Sequence, residues 1–124
     1  MRIEVGPLAS IPVGTVRVVE PDGPPGIGVF NVDGELFALR NRCPHMDGPL
    51  CAGRITGTSR AGRRPDGVPH VIWERDGEIV ACPWHQWEFD IRTGRTAFPS
   101  KWRVRTYPVV VEDGTVFLEL RGPA

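Results

Sequence analysis

Two short segments of this 124-residue chain carry the side chains best suited to chemistry: Cys43-Pro44-His45 and Cys82-Pro83-Trp84-His85. Each supplies one thiol and one imidazole, the first at C-x-H spacing and the second at C-x2-H. Two loops folded against one another would gather two sulfur and two nitrogen donors around an inorganic centre. A tetrahedral zinc site can use that set, but structural zinc sites commonly pair cysteine with cysteine and histidine with histidine at close spacing. Interleaved Cys-His pairs depart from that arrangement.

Something must hold the two loops together, and the rest of the chain reads as strands. Short β-branched and aromatic runs recur between Gly, Pro and Asp, and no segment keeps a 3.6-residue apolar period for three turns. Val16–Val19 and Ile27–Val32 flank a Pro-rich turn at residues 21–26, where proline blocks ladder pairing. Asp33-Gly34, Asp76-Gly77 and Asp113-Gly114 each sit between apolar runs, at 27–32 and 35–39, 71–73 and 78–81, and 107–111 and 115–120. These are three expected hairpins, because glycine takes the positive φ of the favoured tight turns. Residues 102–107 alternate as expected of a strand with one wetter face. The expected fold is an all-β antiparallel sandwich with a small subdomain made by two loops, and the chain closes on the plain tail Arg121-Gly122-Pro123-Ala124.

The length is that of one domain, residues 1–124, with room for a modest core. Catalytic machinery must then fit beside the metal or belong to another protein. Fifteen basic and fifteen acidic side chains cancel, which argues against nucleic acid as the main partner. The balance is uneven, since residues 91–111 hold Arg92, Arg95, Lys101, Arg103 and Arg105 and no carboxylate. A solvated strand face is the common meaning of such a run, and a partner-facing patch the rarer one. Three cysteines cannot all pair, and with two given to metal the set reads as cytosolic metal chemistry. No apolar run reaches membrane-spanning length, and residues 1–5 lack the apolar core of a signal peptide. A soluble, cytoplasmic protein with no membrane partner is expected.

The motif resembles the Rieske family, in which two cysteines hold one iron of a [2Fe–2S] cluster and two histidines the other. The likeness includes Met46-Asp47-Gly48-Pro49-Leu50 and Gly53 after the first pair, and Trp87-Glu88-Phe89-Asp90 with Thr93-Gly94 after the second. It is strongest over residues 40–53 and 79–96, and the two cluster loops fall at about 40–53 and 80–90. The resemblance implies one [2Fe–2S] cluster, with Cys43 and Cys82 on the inner iron and His45 and His85 on the outer one. Trading two thiolates for imidazoles raises the potential from about −400 mV into a range of about −150 to +300 mV. The high-potential members add a cysteine to each loop as a disulfide clamp; here Cys51 has no partner in loop two, and serine and tyrosine hydroxyl donors are missing there. The resemblance therefore implies a potential near the bottom of that range.

Against the family pattern, 36 residues separate His45 from Cys82. The excess is placed at 56–69, where glycines and prolines leave little scope for a packed element. It is expected to be a solvated insertion lengthening the first hairpin, with Arg60, Arg63 and Arg64 available to a partner. Gln86 stands where the family often has glycine, and would be strained if that position needs positive φ. Trp84, Trp87 and Phe89 are expected to pack beside the cluster, Cys51 to be a small buried residue, and His70 to lie at the surface.

Three functions follow. The first is an electron carrier, a Rieske-type ferredoxin between a reductase and a terminal oxygenase. The mononuclear iron site of such oxygenases needs two histidines and a carboxylate, and only His70 remains after the cluster ligands, so the chain is read as a carrier and not an enzyme. The second is a small redox subunit of another oxidoreductase, nitrite-reductase-like. The third is a structural zinc module.

Overall fold

The computed structural model describes residues 1–120, so the tail at 121–124 lies outside the described residues. Its strands are β1 (Arg2–Pro7), β2 (Val16–Val19), β3 (Ile27–Val32), β4 (Glu35–Arg40), β5 (Arg54–Arg63), β6 (Pro69–Ala81), β7 (Glu88–Asp90), β8 (Thr106–Tyr107), β9 (Val109–Glu112) and β10 (Thr115–Glu119). They form three antiparallel sheets, in the orders β1-β10-β9, β2-β3-β4-β8 and β5-β6-β7.

The middle sheet explains the layering. All six residues of β3 are buried, and strand alternation sends successive side chains to opposite faces. Ile27 and Val29 join Val116, Leu118 and Ile11 in one core, against the β1-β10-β9 sheet. Phe30 and Val32 join Val80, Phe89 and Ile91 in a second, against the β5-β6-β7 sheet. Cys43, Cys51 and Cys82 belong to that second core, which fixes the two Cys-His segments to the body of the protein.

Two of the three expected Asp-Gly hairpins form. Asp33 and Gly34 take φ of 52° and 95°, Asp113 and Gly114 take 51° and 77°, and each pair joins strands in direct register. Positive φ at both central residues is the tight-turn geometry that matches strand twist.

Asp76-Gly77 does not turn the chain, which corrects the third. Residues 69–81 run as the single strand β6 along β5, with Thr58 opposite Glu74 and Thr56 opposite Ile79, so residues 75–78 bulge out against Gly57 alone. The same turn-forming chemistry is spent on a bulge, with Arg75 at φ 63° and Gly77 at 82°. Arg75 thereby reaches Asp90 at 2.6 Å, and the Trp73 indole N–H donates to Asp76 at 2.5 Å.

The insertion is likewise more regular than expected. It lengthens the β5–β6 hairpin, not the first one, and its turn lies at residues 64–68, where the Gly67 N–H donates to Arg64 O at 2.8 Å. Ladder bonds hold this arm without a core, as glycine-rich composition hid: residues 63–71 are all exposed. Residues 102–107 depart in the other direction. Only Thr106–Tyr107 is strand, and the buried residues Val104 and Tyr107 are three apart, not two.

Candidate metal centre

Loop one leaves β4 and loop two leaves β6, and the two loops repeat one backbone design. In loop one the Asp47 N–H donates to Cys43 O and the Cys43 N–H to Gly48 O, both at 2.8 Å. In loop two the Gln86 N–H donates to Cys82 O and the Cys82 N–H to Trp87 O, also at 2.8 Å. Each chain reversal needs positive φ at its fifth residue, and Asp47 (60°) and Gln86 (58°) supply it. The position of Gln86 is therefore one that favours glycine, as its departure from the family pattern implied.

This design turns both cysteines inward. Cys43 is 1% exposed and Cys82 2%, and both are free thiols. Burial pushes the Cys43 thiol above its ordinary value; the backbone N–H groups of His45 and Met46 oppose that, while the adjoining Cys82 side chain adds to it. The loops also interlock: a Cβ built on Gly48 would stand 3.0 Å from the Cys82 sulfur and from the Trp84 ring. Glycine is required there because the thiol of the opposite loop lies against its backbone.

The two histidines meet on the outer side. Their rings are 5.1 Å apart, edge to face at 78°; His45 is half-buried and His85 exposed. His45 is stacked on Trp87, with centroids 3.9 Å apart, and Trp87 meets Phe98 and Trp102 edge-on at 5.2 and 6.3 Å. Beneath, Phe89 is fully buried. Trp84 corrects the expectation of an aromatic cover, being 57% exposed: it lies over Gly48 and turns outward.

Two observations test whether these residues fit a metal centre. The His45 Nδ1 is buried with no hydrogen-bond partner, a state that is costly for a polar atom unless something else satisfies it. The buried neighbouring thiols have the same need once ionised. A centre taking sulfur on its inner side and nitrogen on its outer side meets both. Among the described residues, no group of three or more His, Cys, Asp or Glu side chains is placed to hold a single metal ion.

Comparison with known proteins decides the family. The model of the Rieske [2Fe-2S] domain matches residues 2–108. The chain belongs to the Rieske family. A Rieske domain binds one [2Fe–2S] cluster. The 3-phenylpropionate/cinnamic acid dioxygenase ferredoxin subunit of Escherichia coli is 31% identical to this chain over 120 residues, covering 96% of this chain and 93% of that one. The structure of a Sphingomonas yanoikuyae ferredoxin superposes with a TM-score of 0.70 at 32% identity, over 98% of this chain and 100% of that one. The ferredoxin of carbazole 1,9a-dioxygenase from Nocardioides aromaticivorans shares the Rieske fold, with a TM-score of 0.71 at 23% identity over 98% and 99% of the two chains.

The structure draws Cys43 to Cys82 and His45 to His85, the four residues that the Rieske motif marks as the expected ligands. Sequence reasoning passed over Phe98, in which the only signal is an aromatic beside Pro99 and Ser100, and the role of Trp102 in the same collar. Cys51 is buried as expected, 2% exposed, with its thiol pushed up to about 12 by burial and its sulfur 3.5 Å from Leu39 O. His70 lies exposed on the β5–β6 arm. Among the described residues no helix is long and apolar enough to cross a membrane.

Proposed function

We propose that this Rieske chain is the ferredoxin of an oxygenase system, passing single electrons from a reductase to a terminal oxygenase. Cys43 and Cys82 hold the inner iron in this reading, and His45 and His85 the outer one. Residues 1–124 act as one unit, with 40–53 and 80–90 as the cluster loops and 56–69 as an added arm. The observation that carries the reading is the apposed, matched pair of Cys-His loops, with His45 Nδ1 buried and unpartnered, in a chain related over nearly its whole length to a dioxygenase ferredoxin subunit.

When bound, the cluster supplies a reversible one-electron couple whose potential the two imidazoles raise relative to an all-thiolate centre. The chain's residues do the rest. The buried thiolates neutralise charge away from water, and the His45 and Met46 N–H groups face the Cys43 sulfur. Trp87 holds the His45 ring, and the exposed His85 edge brings a docked partner close. Two cysteines given to the cluster and a buried Cys51 outside any disulfide suit the reducing cytoplasm, where we place the protein.

The test is anaerobic purification followed by redox titration. Two irons and two acid-labile sulfides per chain are expected, with a one-electron midpoint near the lower end of about −150 to +300 mV. A colourless, zinc-loaded protein, or a clearly positive midpoint, would contradict the reading. The fold alone is also shared with a putative nitrite reductase small subunit, at 17% identity and a TM-score of 0.67; titration against a reductase and oxygenase pair separates the two.

A further inference from the structure

We propose that a groove walled by Arg40, Arg42, Arg103 and Arg105 receives carboxylates of a redox partner protein while that partner covers the histidine edges. The proposal rests on the carrier reading above and adds the partner's chemistry to it.

The fold makes this groove by joining two stretches that carry cations only. Residues 36–46 contain Arg40 and Arg42 and no carboxylate, and residues 91–111 contain five cations and none. The β4–β8 ladder sets Leu39 against Thr106, the Arg40 N–H donates to Arg105 O at 2.9 Å, and a bridge sets Arg95 against Arg103. The result is a groove of about 180 Å³ lined by the four arginines with Pro44 and Val104. Asp22 lies beside Arg40 and Arg42 in the adjoining pocket, but the lining of the groove itself holds four arginines and no carboxylate, and cations so gathered attract anions.

The imbalance is not general to the segment. Arg92 is already engaged by Glu35 at 3.1 Å and Glu78 at 3.4 Å. In the groove, Arg42 reaches Asp47 only at 3.8 Å, with both side chains well exposed; such a pair is weak and yields readily to a better acceptor.

Position supplies the link to electron transfer. Pro44 stands between Cys43 and His45, so a body resting on the histidine edges also lies over the groove. Met46, Trp84 and Trp102 are 53%, 57% and 41% exposed at the same end of the protein. An apolar centre with a charged rim is the anatomy of a protein interface, and the arginine fork matches a carboxylate at two points. A small free anion would leave those apolar surfaces wet and would meet water at every exposed arginine, so a protein face is the better occupant.

The test uses the purified, dithionite-reduced holoprotein and two one-electron oxidants of opposite charge, ferricyanide and hexaammineruthenium(III), followed by stopped flow. Each accepts one electron from the protein and leaves as its reduced complex. Oxidation by ferricyanide should fall roughly tenfold between low and high salt, and oxidation by the ruthenium cation should rise, because a local field near the cluster steers approach. The double variant Arg42→Gln/Arg103→Gln should lose most of that contrast, while the distant, charge-matched Arg2→Gln/Arg17→Gln should keep it. Poly-L-glutamate should slow ferricyanide oxidation of the native protein and not of the Arg42→Gln/Arg103→Gln variant. Equal salt responses to both oxidants, or equal loss in the two double variants, would overturn the groove. Saturable protection by inorganic phosphate as strong as that by poly-L-glutamate would overturn the protein-face occupant. Visible and paramagnetic spectra taken on the same samples separate these failures from absence of the cluster, which would instead refute the carrier reading.

Discussion

His45 and Trp87, from opposite loops, lie face to face with ring centroids 3.9 Å apart and planes 8° from parallel. The indole fixes the plane of the imidazole, and so the direction in which Nδ1 points, without taking up a nitrogen of the ring. A stacked aromatic pair contributes about 0.5–1.5 kcal/mol beyond its buried area.

Replacing Trp87 with leucine should therefore leave the cluster assembled but held more loosely. Iron loss to a chelator is expected to speed up several-fold, the change corresponding to about 1 kcal/mol, and the paramagnetic spectrum of the reduced protein should shift, whereas Trp87→Phe should recover part of both. Unchanged chelation kinetics in Trp87→Leu would mean that the stacking does not hold the ring.

Gln86 sits at φ 58°, where a side chain costs roughly 1–2 kcal/mol relative to glycine. Gln86→Gly should raise the denaturation midpoint followed through the visible band, with a gain of about 1 kcal/mol after the extra freedom of glycine in the unfolded chain is subtracted. A loss of stability would show that the glutamine side chain makes a contribution beyond its backbone strain.

Gly48 presents the opposite case. Its missing Cβ leaves the 3.0 Å space in which the Cys82 sulfur and the Trp84 ring lie. Gly48→Ala should push the loops apart, and the iron content of the purified variant should drop well below that of the native protein while the far-ultraviolet β signal persists.

Cys51 has its thiol pushed up to about 12 by burial, and a Cβ on Gly28 would come within 2.5 Å of its sulfur. At pH 8 roughly one molecule in ten thousand would carry the thiolate, the reactive form. Iodoacetamide should leave Cys51 of the native protein unlabelled over hours, and Cys51→Ala should retain full iron content. Rapid labelling would place the residue at the surface, contrary to its burial.

The site was legible because its chemistry is written locally: two cysteines and two histidines at fixed spacing, each cysteine followed by a proline, can be read without knowing the fold. Most strands were legible for a similar reason, as at 27–32 and 115–119, where apolar residues alternate around Asp-Gly turns. Asp76-Gly77 misled because positive φ serves a bulge as well as a turn, and only the partner strand decides which. The β5–β6 arm was hidden because its ladder is held by backbone bonds, with threonine, serine and glycine on strands that bury almost nothing. Phe98 and Trp102 took their meaning from Trp87, which lies on a different segment and is brought to them only by folding.

Pulsed paramagnetic resonance of the anaerobically reduced protein tests the mixed ligation most directly. Hyperfine coupling to two imidazole nitrogens is expected, with His45→Cys and His85→Cys each removing one. A signal without nitrogen coupling, or one that survives unchanged in both variants, would contradict ligation by Cys43, His45, Cys82 and His85.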